Sequence, residues 1–357
     1  MTKYGITARQ QQRLPEPNTR CNTMSVGVIS MQLQTLLHTP AKESQQDASH
    51  SSKNYFRLLQ QFQMHTGATI GGPLVQQVMQ HKVAQTAWSH PYLMHMILAI
   101  SAAHRKRLPH TSLPLDESVA DIIHWQAALE LYQVELKSQT RNMDAALAMT
   151  FLSTAFVFAL EDIIPMHCLE RDGDILSQAL WKPLPVFSGV RAVCFSSDEA
   201  RNSFWAEVLR DSDDGVGTFT NQAPGTEGLL PGLVRLCGLE HDSTSESNPY
   251  HTIVRALSPL LLLDANSLHF GRVISFGGRT WQAFSPLLQR GDPRAMLLLA
   301  YWFVLLSNLN QWYLDVRVKT GCMAIVQYLS GKKDPVIQAL LPFPATFGAT
   351  GIANLQV

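Results

Sequence analysis

Few residues of this 357-residue chain stand at spacings that do chemistry. The acidic run Asp211-Ser212-Asp213-Asp214 has the D-x-D-D pattern, in which a carboxylic acid kept protonated in a dry pocket can hand a proton to an alkene. It stands beside Gly215-Val216-Gly217, in a stretch rich in turn residues, which predicts a solvated loop over residues 211–230. The 13 histidines are scattered. His90 and His95 lie too far round a helix from each other to share a metal ion, and they read as ordinary polar positions. The segment around Ser275 has Val273 where a nucleophile elbow needs its first glycine. Gly215-Val216-Gly217 lacks the third glycine and the preceding strand of a dinucleotide fingerprint. There is no P-loop and no H-E-x-x-H. Cys21, Cys168, Cys194, Cys237 and Cys322 are odd in number and far apart, so they build neither a zinc pattern nor a disulfide framework. They read as small buried hydrophobes in a reducing compartment. No metal and no cofactor is expected.

Aromatic residues are the better site candidates. Trp125, Tyr132, Trp205, Trp281, Tyr301, Trp302, Trp312 and Tyr313 fall on segments with helical periodicity. Aromatic stripes of this kind usually fill a core. They also line apolar pockets between helices, where a few polar groups fix the ligand's orientation. His95, His124, Glu161, Asp162, His167 and Asn308 are the polar candidates. The expected pocket set is therefore His95, His124, Trp125, Tyr132, Glu161, Trp281, Tyr301, Trp302, Asn308 and Trp312. No catalytic residue is singled out.

The elements that must position these residues read as helices throughout. Residues 1 to about 52 are rich in Gln, Ser, Thr, Asn and Pro and are expected to be weakly ordered, with one short helix over Met24–Leu37. Ordered structure is expected from about residue 53 to 357. Leu74, Val78, Val83 and Trp88 mark one helix, and Ser89 is a candidate N-cap for the next, with Pro91 in its first turn. That next helix, HPYLMHMILAISAAHRKR over residues 90–107, is apolar all round and ends in a basic turn that complements the helix dipole. Further helices are expected over about Leu115–Thr140, through Met143–Asp162, and from Pro293 through Ser330. The apolar run Ala295–Leu306 is too short to span a bilayer and reads as a buried core helix. No alternating strand pattern competes. The expected fold is all-α, about ten helices in one large domain with a buried apolar pocket.

Composition agrees with a large interior: 46% of residues are hydrophobic and only 16% charged. Lys plus Arg equals Asp plus Glu at 28 each, so no long-range field draws the chain toward nucleic acid or anionic lipid. The N-terminus shows no apolar signal region, which gives an expectation of an intracellular protein without a membrane span.

Three blocks in order resemble the regulatory domain of fungal zinc-cluster transcription factors of the sterol-uptake-regulator type. They are HPYLMHMILAISAAH (residues 90–104), HWQAALELYQVEL (124–136) with Asn142–Ala148, and FSPLLQRGDPRAMLLLAYWFVLLSNLNQWYLDV (284–316). The likeness spans about residues 85 to 330. It implies a nuclear-receptor-like helical domain that takes sterol-sized apolar molecules. The chain departs from the family in two places. One cysteine in the first 160 residues cannot form a six-cysteine, two-zinc DNA-binding cluster, so direct nucleic-acid binding is not expected. Phe343-Pro344 stands where the family closes on Trp-Pro. Nor do the other features of class II terpene cyclases accompany the D-x-D-D run.

Three functions are compatible with these features. The leading expectation is a cofactor-free pericyclase or cyclase of fungal natural-product biosynthesis. It would fold a terpenoid, sterol or polyketide-like molecule into a reactive shape, for example for a Diels–Alder-type step. The others are a regulator that senses a sterol-like ligand and a passive carrier. A homodimer is compatible with each.

Overall fold

The computed structural model describes residues 26–37, 45–108, 119–138, 141–160, 184–186, 200, 202–214, 223–263 and 269–345. Among them every regular element is helical and none is a strand, as the periodicity predicts. The N-terminal half holds α1 (Val26–Leu37), α2 (Gln45–Met64), α3 (Pro73–Val78), α4 (Ala84–Ala87), α5 (Pro91–Arg107), α6 (Ala120–Glu135) and α7 (Met143–Ala159). The rest holds α8 (Ala206–Asp214), α9 (Pro231–Cys237), α10 (His251–Leu261), α11 (Phe270–Gln289), α12 (Pro293–Ser307), α13 (Trp312–Ser330), α14 (Pro335–Leu340) and α15 (Pro342–Ala345).

Two helices carry the architecture. In α5 every residue from Tyr92 to His104 is buried, and in α12 every residue from Ala295 to Leu306. A helix apolar on all sides has no face to give to water, so other helices must surround it. Around α5 lie α2, α6 and α7; around α12 lie α10, α11 and α13. Contact of α13 with α7 joins the two groups, and their buried side chains form one continuous cluster.

Local chemistry sets the ends of both helices. His90 precedes a proline, which disfavours helical backbone there; it is extended (φ −136°, ψ 91°), and Pro91 opens α5 with its φ already set. The N-cap is thus His90 and not Ser89, and it caps without a side-chain bond. Before α12, the carboxylate of Asp292 accepts from the Arg294 and Ala295 amides at 2.9 Å each, ahead of Pro293.

Three further elements differ from the expectations. The proposed boundary at residue 52 falls inside α2, and Leu33 of α1 is fully buried in the core. The segment 73–87 is one helical rod whose middle, Met79–Val83, is a π-helical turn. Val75, Met79, Val83 and Ala87 face the core, whereas Val78 is only half-buried. Asp211–Asp214 closes α8 instead of standing in a loop, and Asp211 is exposed.

Gly71 ties the start of this rod to α13. Its φ of +83° suits glycine, and a Cβ there would lie 2.6 Å from a Val75 methyl. Its amide donates to Gln311 Oε1 at 2.7 Å, and Gln311 Nε2 donates back to the Gly71 carbonyl at 3.3 Å.

Removing bulk from either buried helix is expected to be costly. Leu98→Ala and Leu298→Ala, both fully buried, should each lose about 2–5 kcal/mol in denaturant unfolding, against about 1 kcal/mol for the cap change Asp292→Ala.

Candidate functional site

Two of the predicted polar residues, His95 and His124, meet in one place. α5 and α6 run antiparallel along the most extensive helix–helix contact among the described elements. Lys106 Nζ donates to Asp121 Oδ1 at 2.6 Å at one end, and the rings of Tyr92 and Tyr132 meet at 5.1 Å at the other. Asp121, His124, Ala128 and Tyr132, at helical spacing, form the inner stripe of α6. Between the two ends, His95 and His124 face each other with Nδ1 atoms 2.9 Å apart. Tyr55 of α2 closes the pair, its ring edge-on to His124 at 5.1 Å.

Two ring nitrogens at that separation share one proton, so one Nδ1 donates and the other accepts. Burial disfavours the imidazolium and lowers His95 to about 4; burial, and then the neighbouring His95, lowers His124 to about 3. Both rings are neutral at pH 7 and spend their Nδ1 atoms on each other. They make a buried structural hydrogen bond between two helices, with no cation to offer a substrate.

His104, which the sequence places in a solvated basic turn, is buried instead. Its ring stacks on Trp312 at 4.6 Å and 18°, and its Nδ1 pairs with Thr66 Oγ1 at 3.0 Å. Burial, followed by the nearby His65, lowers it to about 4. Trp312 Nε1 donates to Thr69 Oγ1 at 3.1 Å, so this cluster clamps the C-terminal end of α5 to the start of α13. The rest of the turn is partnered too: besides Lys106, Arg107 donates to the Ala159 carbonyl at 2.7 Å.

Other predicted residues serve packing. Trp125 stacks on Phe156 at 4.7 Å. Tyr301 is fully buried, stacks on Phe343 and donates its hydroxyl to the Leu340 carbonyl at 2.8 Å. Trp302 donates to the Val273 carbonyl at 2.9 Å. Trp281 is half-buried against the core, and Asn308 is exposed at the C-terminal end of α12. Glu161, Asp162 and His167 lie outside the described residues. Burial pushes the Cys237 and Cys322 thiols up to about 12, which removes them as thiolate nucleophiles. Among the described residues, no group of three or more His, Cys, Asp or Glu could hold a metal, and no helix is long and apolar enough to cross a membrane.

A cleft of about 200 Å³ opens elsewhere, between the π-turn and α8. Leu74, Val78, Phe204 and Val208 form its apolar part; Gln77, His81, Lys82 and Glu207 supply its polar groups. The wall on the α8 side is anchored. Trp205 is fully buried, stacks on Phe151 at 4.7 Å, and its indole donates to the Asp144 carbonyl at 3.1 Å. The Asp144 carboxylate accepts from the Phe204 amide at 2.9 Å. A second pocket, of about 30 Å³, is lined by residues including Ile70, Phe151, Thr154 and Tyr313. None of the nine described residues among the ten sequence-named pocket candidates lines either space. Of the apolar lining, the sequence marks Leu74 and Val78 only as members of a helical pattern; Phe204 and Val208 carry no signal.

Comparison with family models, with curated proteins and with solved structures gives no match to this chain.

His95, His104 and His124, the histidines lowered to about 4 or below, fix a pH response. Their folded values lie below the unfolded value of 6.5, so the unfolded chain takes up protons first. Their neutral burial is fully tolerated above about pH 6.5, and stability falls as pH drops toward about 4, by at most about 1.4 kcal/mol per pH unit for each ring. Urea unfolding from pH 7.5 to 4.5 should show this slope, and His95→Gln/His124→Gln should lower stability at pH 7.5 yet flatten it.

Proposed function

We propose that the chain binds an apolar small molecule of terpenoid, sterol or polyketide type, and promotes a ring-closing step on it by shape, without metal or cofactor. The observation that supports this reading is the cleft beside the π-turn, with an apolar floor and a few polar groups at its edge. That division is the usual one for a small-molecule site. π-turns often mark functional positions, because the inserted residue re-aims side chains that an α-helix would turn away. At about 200 Å³ the cleft is smaller than the roughly 300 Å³ at which drug-sized pockets begin, so it takes one end of a ligand.

Ring closure of the pericyclic kind asks little of a protein's functional groups. It needs the reacting carbons held together and one donor aimed at an acceptor whose charge grows in the transition state. Lys82 is exposed at the edge and carries such a donor. His81 donates from Nδ1 to the Gln77 carbonyl at 2.9 Å, which leaves Nε2 of the neutral ring as an acceptor. A carbonyl bound at Lys82 would be polarised toward cycloaddition.

A second reading, a ligand sensor that regulates transcription without touching DNA itself, is favoured by the openness of the cleft to water and by the resemblance of residues 90–104, 124–136 and 284–316 to sensing domains. Deletion of the gene separates the two readings. Loss of neighbouring transcripts would mark a regulator. Normal transcripts with one uncyclised intermediate accumulating would mark an enzyme.

Binding itself is directly testable. Dehydroergosterol, a fluorescent sterol, is expected to accept energy from Trp205 when bound in the cleft. Val78→Phe, at a half-buried position, should weaken that binding at least tenfold with little change in thermal midpoint. Equal binding by the variant would place the ligand elsewhere.

A further inference from the structure

The polar edge of the cleft discriminates among apolar ligands by charge. Lys82 and Glu207 both line it, so one cation stands with one anion. An ammonium group entering there meets Lys82, and a carboxylate meets Glu207. Each is repelled by one of the two, which favours a ligand whose end is neutral.

Hydrogen bonding narrows the choice further. Lys82 only donates, Glu207 only accepts, and the Gln77 amide does both. His81 is fixed by its own helix. The Gln77 carbonyl, four residues back, takes the Nδ1 proton at 2.9 Å, so the neutral ring is left with an acceptor at Nε2. A ligand carbonyl answers Lys82 but brings no proton to His81 or Glu207. Both of these side chains are exposed to water. A ligand that covers them displaces that water and must replace its O–H, or leave a polar atom unpaired.

The lining also has a direction. Leu74, Val78 and the pair His81 and Lys82 follow one another at three- to four-residue spacing along the rod, with Phe204 and Val208 on the other wall. A molecule lying along the cleft sets its hydrocarbon on Leu74 and Val78 and its end beside His81.

On the reading that the cleft binds an apolar small molecule, we infer that it selects molecules ending in a neutral hydroxyl, whose O–H is donated to His81 Nε2 and whose oxygen is free to accept from Lys82. The ring-closing step is not needed for this selection; binding in the cleft is.

Dehydroergosterol and its methyl ether test it, because both accept energy from tryptophan and they differ only at the hydroxyl. The full chain should bind the alcohol about tenfold more tightly than the ether, as expected when a covered acceptor loses its hydrogen bond. His81→Phe should bring the two affinities within about twofold of each other, and His81→Gln, whose amide oxygen accepts, should keep part of the preference. Equal binding of alcohol and ether by the wild type, both weakened by Val78→Phe, would overturn the hydroxyl selection and leave the cleft a ligand site. A preference that survives His81→Phe undiminished would overturn the role of His81. Binding of neither sterol would overturn the ligand reading and the selection with it.

Discussion

Everything described here depends on removing two helices from water completely. α5 and α12 have no polar face over their buried stretches, so each exists as a helix only inside a shell of others. The shell explains the low charge content and the number of short helices. It also explains why aromatic donors look inward. Tyr301 and Trp302 sit in such a helix, and their polar atoms must find carbonyls on α14 and α11 or stay unsatisfied.

That same demand governs the histidines. A ring in the seam between α5 and α6 cannot carry a charge without a partner, so His95 and His124 solve the problem together, one as donor and the other as acceptor. His104 finds Thr66 and Trp312. A chain rich in histidine looks ready for acid–base or metal chemistry, yet these three rings are spent on joining helices. Chemistry at the protein's surface then falls to groups that remain wet, such as Lys82 and His81 beside the π-turn.

The position of the cleft limits what kind of site it can offer. It lies between two elements at the edge of the described core and opens outward. It exists because Met79–Val83 is wound as a π-turn while Trp205 and Asp144 hold α8 opposite. Shape there is set by backbone winding and by one anchored tryptophan.

The amino-acid sequence by itself determined the helical class, the two buried helices and the absence of a familiar catalytic motif, because apolar periodicity and proline or aspartate caps act over a few residues. It also named His95, His124 and Tyr132 as pocket candidates, without showing that they would meet. Only the tertiary structure decided which helix meets which. It brought His95 to His124 across 29 residues and His104 to Trp312, and it set Phe204 and Val208 against Leu74 and Val78. Periodicity says that a side chain faces inward but not what it will face, since that depends on helix crossing and register. The same limit made pocket lining and core filling look alike at Tyr301 and Trp302, and hid a cleft whose walls come from segments about 130 residues apart.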